Sequence, residues 1–198
     1  KDKLLKHTKW LQLRMKVDKE NGVDGYIYAH EVSCDGRKVA VLPYVREGRN
    51  GWKVLLREEI TPAWGNKPIL SSITGGIEPE EKPVIAAVRE LEEETGYKVK
   101  PDDMEYLGKC FGNKMMDSQF WLYAVDVSKK EKVKIKGDGS KLERKAKNKF
   151  WVWDNFKKSP DPLVAVMCSR RGKSFEGEEE LDEYDLKSPD KIFLVGFS

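Results

Sequence analysis

One segment of this chain repeats with the period of a helix, and whatever surrounds it must cover the apolar stripe it presents. In GGIEPEEKPVIAAVRELEEETGY, residues 75–97, Pro83 suits a first helical position, because the N–H it lacks would have no partner there. Val84, Ala87, Val88 and Leu91 recur at i, i+3, i+4 and i+7, which puts them on one face. Gly96 follows the last turn, where a left-handed residue often closes a helix. The spacing predicts a helix over 83–95. Elsewhere the apolar character comes in short pieces: 10–17, 25–32, 39–45, 52–57, 69–73, 104–111, 120–127, 150–152 and 192–197 read as strands. Cys34-Asp35-Gly36 and Arg49-Asn50-Gly51 supply turn chemistry between them, and 159–171 reads as a second helix. Strands gathered around one strong helix imply the α+β class, or a mixed sheet with helices on its faces.

The remainder is read from charge and composition. Lys+Arg number 37 and Asp+Glu 34, a net of only +3, which is too balanced to announce a nucleic-acid binder. Two charged stretches, the Lys-rich 129–149 and the acidic 176–185, read as solvated loops, and an RNA contact through the first is the alternative. Cys34, Cys110 and Cys168 lie far apart with no CxxC pair, so neither a zinc site nor a redox motif is indicated. Reduced thiols of this kind fit an intracellular protein. No apolar run approaches the ~18–20 residues of a membrane span, and the N-terminus is too basic and interrupted for a signal peptide. The expectation is a cytoplasmic protein with one domain over 1–198. Residues 1–45 would be an N-terminal strand extension, and 155–198 a C-terminal helix and tail.

The end of the predicted helix is chemically unusual. Glu90, Glu93 and Glu94 stand at i, i+3 and i+4, so their Cβ atoms are neighbours roughly 5–6 Å apart. They repel one another, and they sit near a helix C-terminus, where the macrodipole disfavours negative charge. Arg89 is one source of compensation. A hard divalent cation is another, and oxygen ligands alone favour Mg²⁺ or Mn²⁺. The plain alternative is a solvated acidic helix face.

The spacing resembles the Nudix box, G-x5-E-x7-R-E-U-x-E-E-x-G-U, in which U is bulky and apolar. Gly75, Glu81, Arg89-Glu90, Leu91, Glu93-Glu94 and Gly96 occupy its fixed positions, and Tyr97 stands where an aliphatic residue is more usual. The resemblance implies the Nudix fold, a mixed β-sheet sandwiched between α-helices. It also implies a Mg²⁺-dependent hydrolase, Mn²⁺ being a possible substitute, that cleaves a diphosphate joined to a nucleoside and releases a nucleoside monophosphate. By the same resemblance Glu93 and Glu94 are the main metal ligands and catalytic residues, with Glu90 and Gly75 in the metal site. Gly76 would let the backbone approach the diphosphate. Glu81 and Arg89 would orient the others, the planar guanidinium suiting a carboxylate pair. The general base would come from the box or from a later loop, where Glu143 is the candidate.

Upstream, VLLREEITPAWGNKPILSSITGGIEP is similar to the ADP-ribose pyrophosphatase branch, and this makes Arg57 a candidate contact for phosphate or ribose. The branch often carries a proline at the place where this chain has Phe111-Gly112-Asn113. Trp64, Phe111, Phe120 and Trp121 are aromatic candidates for stacking on a base, Trp64 and Phe111 first among them. Nucleoside triphosphates, nucleotide sugars and RNA caps remain alternative substrates, and a non-catalytic nucleotide sensor is an alternative role. The same branch implies a homodimer formed through the N-terminal strands.

Overall fold

The computed structural model describes residues 2–47, 51–135 and 145–172. An N-terminal antiparallel sheet comprises β1 (Asp2–His7), β2 (Leu11–Asp18) and β3 (Val23–Glu31), paired in that order. The first of these strands is exposed along its whole length and shows no apolar alternation, so it does not announce itself in the sequence. The main sheet has seven strands: β4 (Arg37–Glu47), β5 (Gly51–Glu59), β6 (Ile69–Ser71), β7 (Ile73–Gly76), β8 (Glu105–Phe111), β9 (Gln119–Asp126) and β10 (Lys147–Val152). Five of them run β10-β5-β4-β9-β8 across the sheet, while β6 pairs with β5 and β7 with β4. Only β4 and β9 pair in parallel, so the sheet is mixed. The N-terminal sheet therefore ends at Glu31, and β4, inside the predicted 1–45 extension, is the middle of the main sheet.

Two helices cover this sheet. The helix α1 (Pro83–Thr95) has the predicted bounds, with Pro83 in its first turn and Gly96 closing it at φ +79°. The second, α2 (Pro162–Gly172), starts three residues later than the predicted 159, after a 3-10 turn over Trp153–Lys158. Alternation along the strands divides the core between the helices. Val39, Val41, Tyr123 and Val125 pack with Ala86, Ala87 and Leu91 of α1. Ala40, Leu42, Leu122 and Ala124 pack with Leu163, Val164 and Met167 of α2. Strands buried on both faces are what a sheet between two helix layers requires.

Among the described residues no helix is long and apolar enough to cross a membrane, and Cys34, Cys110 and Cys168 are free thiols.

Candidate active site

The motif segment runs from Gly75 and Gly76 at the end of β7 through a loop, 77–82, into α1, and Arg89 ties strand end, loop and helix together. Its Nε and Nη2 donate to the two carboxylate oxygens of Glu81 at 3.0 Å each, a bidentate pair. Nη2 also donates to the Gly76 carbonyl at 2.9 Å, and Nη1 reaches Glu90 at 2.7 Å and Glu93 at 3.2 Å. One guanidinium thus serves three carboxylates and a main-chain oxygen, a job the fork of arginine can do and an ammonium cannot. The bond to Arg89 holds the Glu81 carboxyl below the usual carboxylate range. The arginine is in turn held above its ordinary value, chiefly by Glu81. Burial pushes Glu90 up, and the pull of Arg89 is opposed by the negative charges of Glu93 and Glu81.

Gly75 has a specific use here. A Cβ on it would overlap the Glu90 carboxylate, so the glycine opens the space in which that side chain lies against the loop. At Gly76 a Cβ would stand 2.9 Å from that of Cys34, so the two glycines admit neighbours from both sides. Gly96 lets a third segment approach: a Cβ on it would overlap the Val133 carbonyl, and Val133 N donates to Gly96 O at 2.8 Å. That segment forms one wall of a groove of about 540 Å³ along the outer side of α1, whose other wall includes Ile85, Val88 and Glu93. Small-molecule sites commonly enclose roughly 300–1,000 Å³. The Glu93 side chain is 45% exposed and faces this opening.

Arg57 is 7% exposed and lies at the C-terminal end of α1. Its Nε stands 3.2 Å from Glu59 and 3.6 Å from Glu94. Asn148 of β10 donates from Nδ2 to the Glu94 main-chain oxygen at 2.9 Å. The structure therefore brings together Gly75, Gly76, Glu81, Arg89, Glu90, Glu93, Glu94 and Arg57. Phe111 ends the edge strand β8 and is 66% exposed, and Trp64 is 54% exposed in the loop between β5 and β6. Glu143 lies outside the described residues.

Sequence reasoning passed over Asn148, Glu59 and His30. Asn148 sits in a Lys-rich run without alternation, and β10 begins at Lys147, not at 150, because it pairs with β5. His30 is 5% exposed, with Nδ1 at 2.9 Å from Asp117 and Nε2 at 3.3 Å from Asp35. Its partner Asp117 is 87 residues away, a proximity that local pattern does not reveal. This clamp, with hydrogen bonds between Ala29 and the 115–117 segment, fastens β3 to the loop between β8 and β9.

The donor set suits a hard divalent cation, since only carboxylate oxygens are offered. Among the described residues no group of three or more acidic, imidazole or thiol side chains is arranged to hold a metal ion by itself, and Arg89 bonds to both Glu90 and Glu93. A closed cage is not what Mg²⁺ needs, because it commonly takes one or two carboxylates and completes its shell with water and substrate phosphates.

A family model described as the NUDIX domain matches residues 36–162. Among solved structures that match, the crystal structure of an ADP compounds hydrolase has a TM-score of 0.63 at 18% identity, over 89% of this chain and 94% of that one. The likeness at that identity is one of fold. No curated protein matches the chain by sequence.

Proposed function

The chain belongs to the Nudix family of hydrolases, and from that premise we propose that it cleaves the diphosphate of a nucleoside diphosphate joined to a second group, of the ADP-ribose or nucleotide-sugar kind, with Mg²⁺ as cofactor and Mn²⁺ able to replace it. One observation carries the proposal: among the described ion pairs of α1 and the loop before it, carboxylates outnumber guanidiniums. Glu81, Glu90 and Glu93 share Arg89, and Glu59 and Glu94 share Arg57. That is five carboxylates to two guanidiniums, an excess that a divalent cation relieves.

A bound Mg²⁺ supplies two things, neutralisation of the diphosphate charge and acidification of the attacking water. Glu93 and Glu94, with Glu90 beside them, would hold it. Glu93 is the most open of the three and can turn from Arg89 toward the ion. Arg57 uses Nε for its two carboxylates, which leaves its terminal amines for a phosphate oxygen. Arg89 and Glu81 hold the loop, so that Gly76 can lie close to the diphosphate. A box glutamate, or Glu143, would take the proton from the attacking water. The groove beside Glu93 gives room for a group attached to the phosphates, and the likeness of fold to an ADP compounds hydrolase favours adenosine diphosphate compounds among the alternatives.

We place the protein in the cytoplasm and propose a homodimer. Leu11, Leu13 and Ile27 share one face of the N-terminal sheet and are exposed, and an exposed apolar patch of that kind marks an interaction surface.

A panel of diphosphate compounds incubated with Mg²⁺ tests the activity, with products identified by mass and by the position of ¹⁸O from labelled water. Release of a nucleoside monophosphate carrying or accompanied by the label is expected. Metal-dependent binding without any product would replace the hydrolase with a nucleotide sensor.

A further inference from the structure

Three strands present one residue each at the same level of the sheet. Ser71 of β6 and Asn148 of β10 stand directly opposite Arg57 of β5, one on either side. Directly paired residues share a face, and this face is that of α1, since Arg57 and Asn148 both reach Glu94. A fourth residue closes the row. Glu59 lies 3.2 Å from Arg57 Nε through one oxygen and 3.1 Å from Ser71 Oγ through the other.

The final carbonyls of a helix have no partner within it. In α1 the Glu92 carbonyl accepts from Gly96 N at 2.8 Å, and the Glu94 carbonyl accepts from Asn148. The second bond fixes the main chain from which the Glu94 side chain springs, so a strand and not a fraying helix end sets its direction. The choice of side chain is chemically apt. A neutral amide donates a hydrogen bond, whereas a lysine or arginine there would compete with a cation for Glu94. On the other side Glu59, braced by Ser71, shares Arg57. Without it the whole guanidinium charge would fall to Glu94.

We propose that Asn148 and Glu59 are positioning residues for the metal-binding end of α1: Asn148 orients Glu94 through its main chain, and Glu59 restrains Arg57 from neutralising it. This rests on Glu94 being a metal ligand, as proposed above.

The test measures Mn²⁺ affinity of the full chain by electron paramagnetic resonance without nucleotide, and nucleotide KM at saturating Mn²⁺. Asn148→Leu keeps the size and loses the donor; Glu59→Gln keeps the size and loses the charge. Each is expected to weaken Mn²⁺ binding about 10- to 100-fold, the usual range for groups that support a metal ligand, and to leave KM unchanged. Lys147→Ala, one residue away on β10, should leave the affinity as it is. Should Asn148→Leu fail to fold by calorimetry, Glu59→Gln carries the test. Wild-type Mn²⁺ affinity in the folded variants overturns the inference and leaves the hydrolase reading standing. A raised KM with unaltered Mn²⁺ affinity also overturns it, since the residues would then serve the nucleotide. A wild-type chain that binds no Mn²⁺ overturns both.

Discussion

Two acidic clusters lie at different places on this fold, and they are balanced differently. At the rim formed by the ends of β4, β8 and β9, a hollow of about 390 Å³ is lined by Asp103, Glu105 and Asp126 together with Lys129 and Lys130. There two of the three acids have a cation each: Lys130 stands 2.6 Å from Asp103, and Arg171 Nε stands 2.6 Å from Glu105. At the end of α1, five carboxylates divide two arginines. The difference also shows in how the acids titrate. Burial pushes one carboxyl up in each cluster, Glu90 and Glu105. Glu105 has only Arg171 acting against that, whereas Glu90 is pushed further by the like charges of Glu93 and Glu81. Acid density alone does not distinguish a site from a salt-bridged surface; the sharing of one cation among several carboxylates does.

The largest effects are expected at Glu93 and Glu94. Glu93→Gln and Glu94→Gln are each expected to lower Mg²⁺-dependent turnover by on the order of 100-fold or more, measured as initial rates of monophosphate release, while Asp103→Asn and Asp126→Asn leave it unchanged. Equal losses at both clusters would erase the distinction.

A subtler break lies at Gly75. Its added Cβ meets the far end of a flexible side chain, the Glu90 carboxylate, so Glu90 can swing away and the fold is retained. Gly75→Ala should therefore weaken Mn²⁺ binding about 10-fold or more, with a melting temperature close to that of wild type in a calorimeter. A large fall in melting temperature would mean that the glycine serves the fold and not the carboxylate.

The smallest effects separate two individual acids, Asp103 and Glu90, by the sign of a pH scan. Asp103 is held below its ordinary 3.8, first by Lys130. Its contribution is present above that value and is lost as the pH falls through the lower folded value. Lys130→Ala should cost less than about 1 kcal/mol near neutral pH and nothing in strong acid, by denaturant melts at several pH values. Glu90 has the opposite sign. Its folded value lies above 4.5, so the stability it favours is present below that pH and is lost as the pH rises through the folded value. Glu90→Gln should be at least as stable as wild type at neutral pH and lose that advantage in acid.

Much of this architecture was legible in the chain. The period of Val84, Ala87, Val88 and Leu91, with Pro83 before and Gly96 after, marked α1 to the residue, because a helix buried on one face writes that face into its sequence. The main strands were legible for a related reason. Those between two helix layers are apolar throughout, as Val39 to Leu42 illustrate. The β1 strand was not legible, since all its residues are exposed and no burial imposes an alternation. Within the site, the Glu cluster and Arg89 were readable because a helix brings i, i+3 and i+4 together locally. Asn148 reaches Glu94 from 54 residues away, and Ser71 reaches Glu59 from 12; only strand register makes such meetings. Arg57 was readable as a candidate, but its place between Ser71 and Asn148 follows from the pairing of β5 with β6 and β10.

By the reading proposed above, the carboxylates gathered at the end of α1 hold a divalent cation. Anomalous diffraction from crystals soaked in Mn²⁺ tests it directly. A peak is expected within coordination distance of the Glu93 and Glu94 carboxylates and none among Asp103, Glu105 and Asp126. Glu93 and Glu94 left without an ion, or an ion found only at the second cluster, would contradict it.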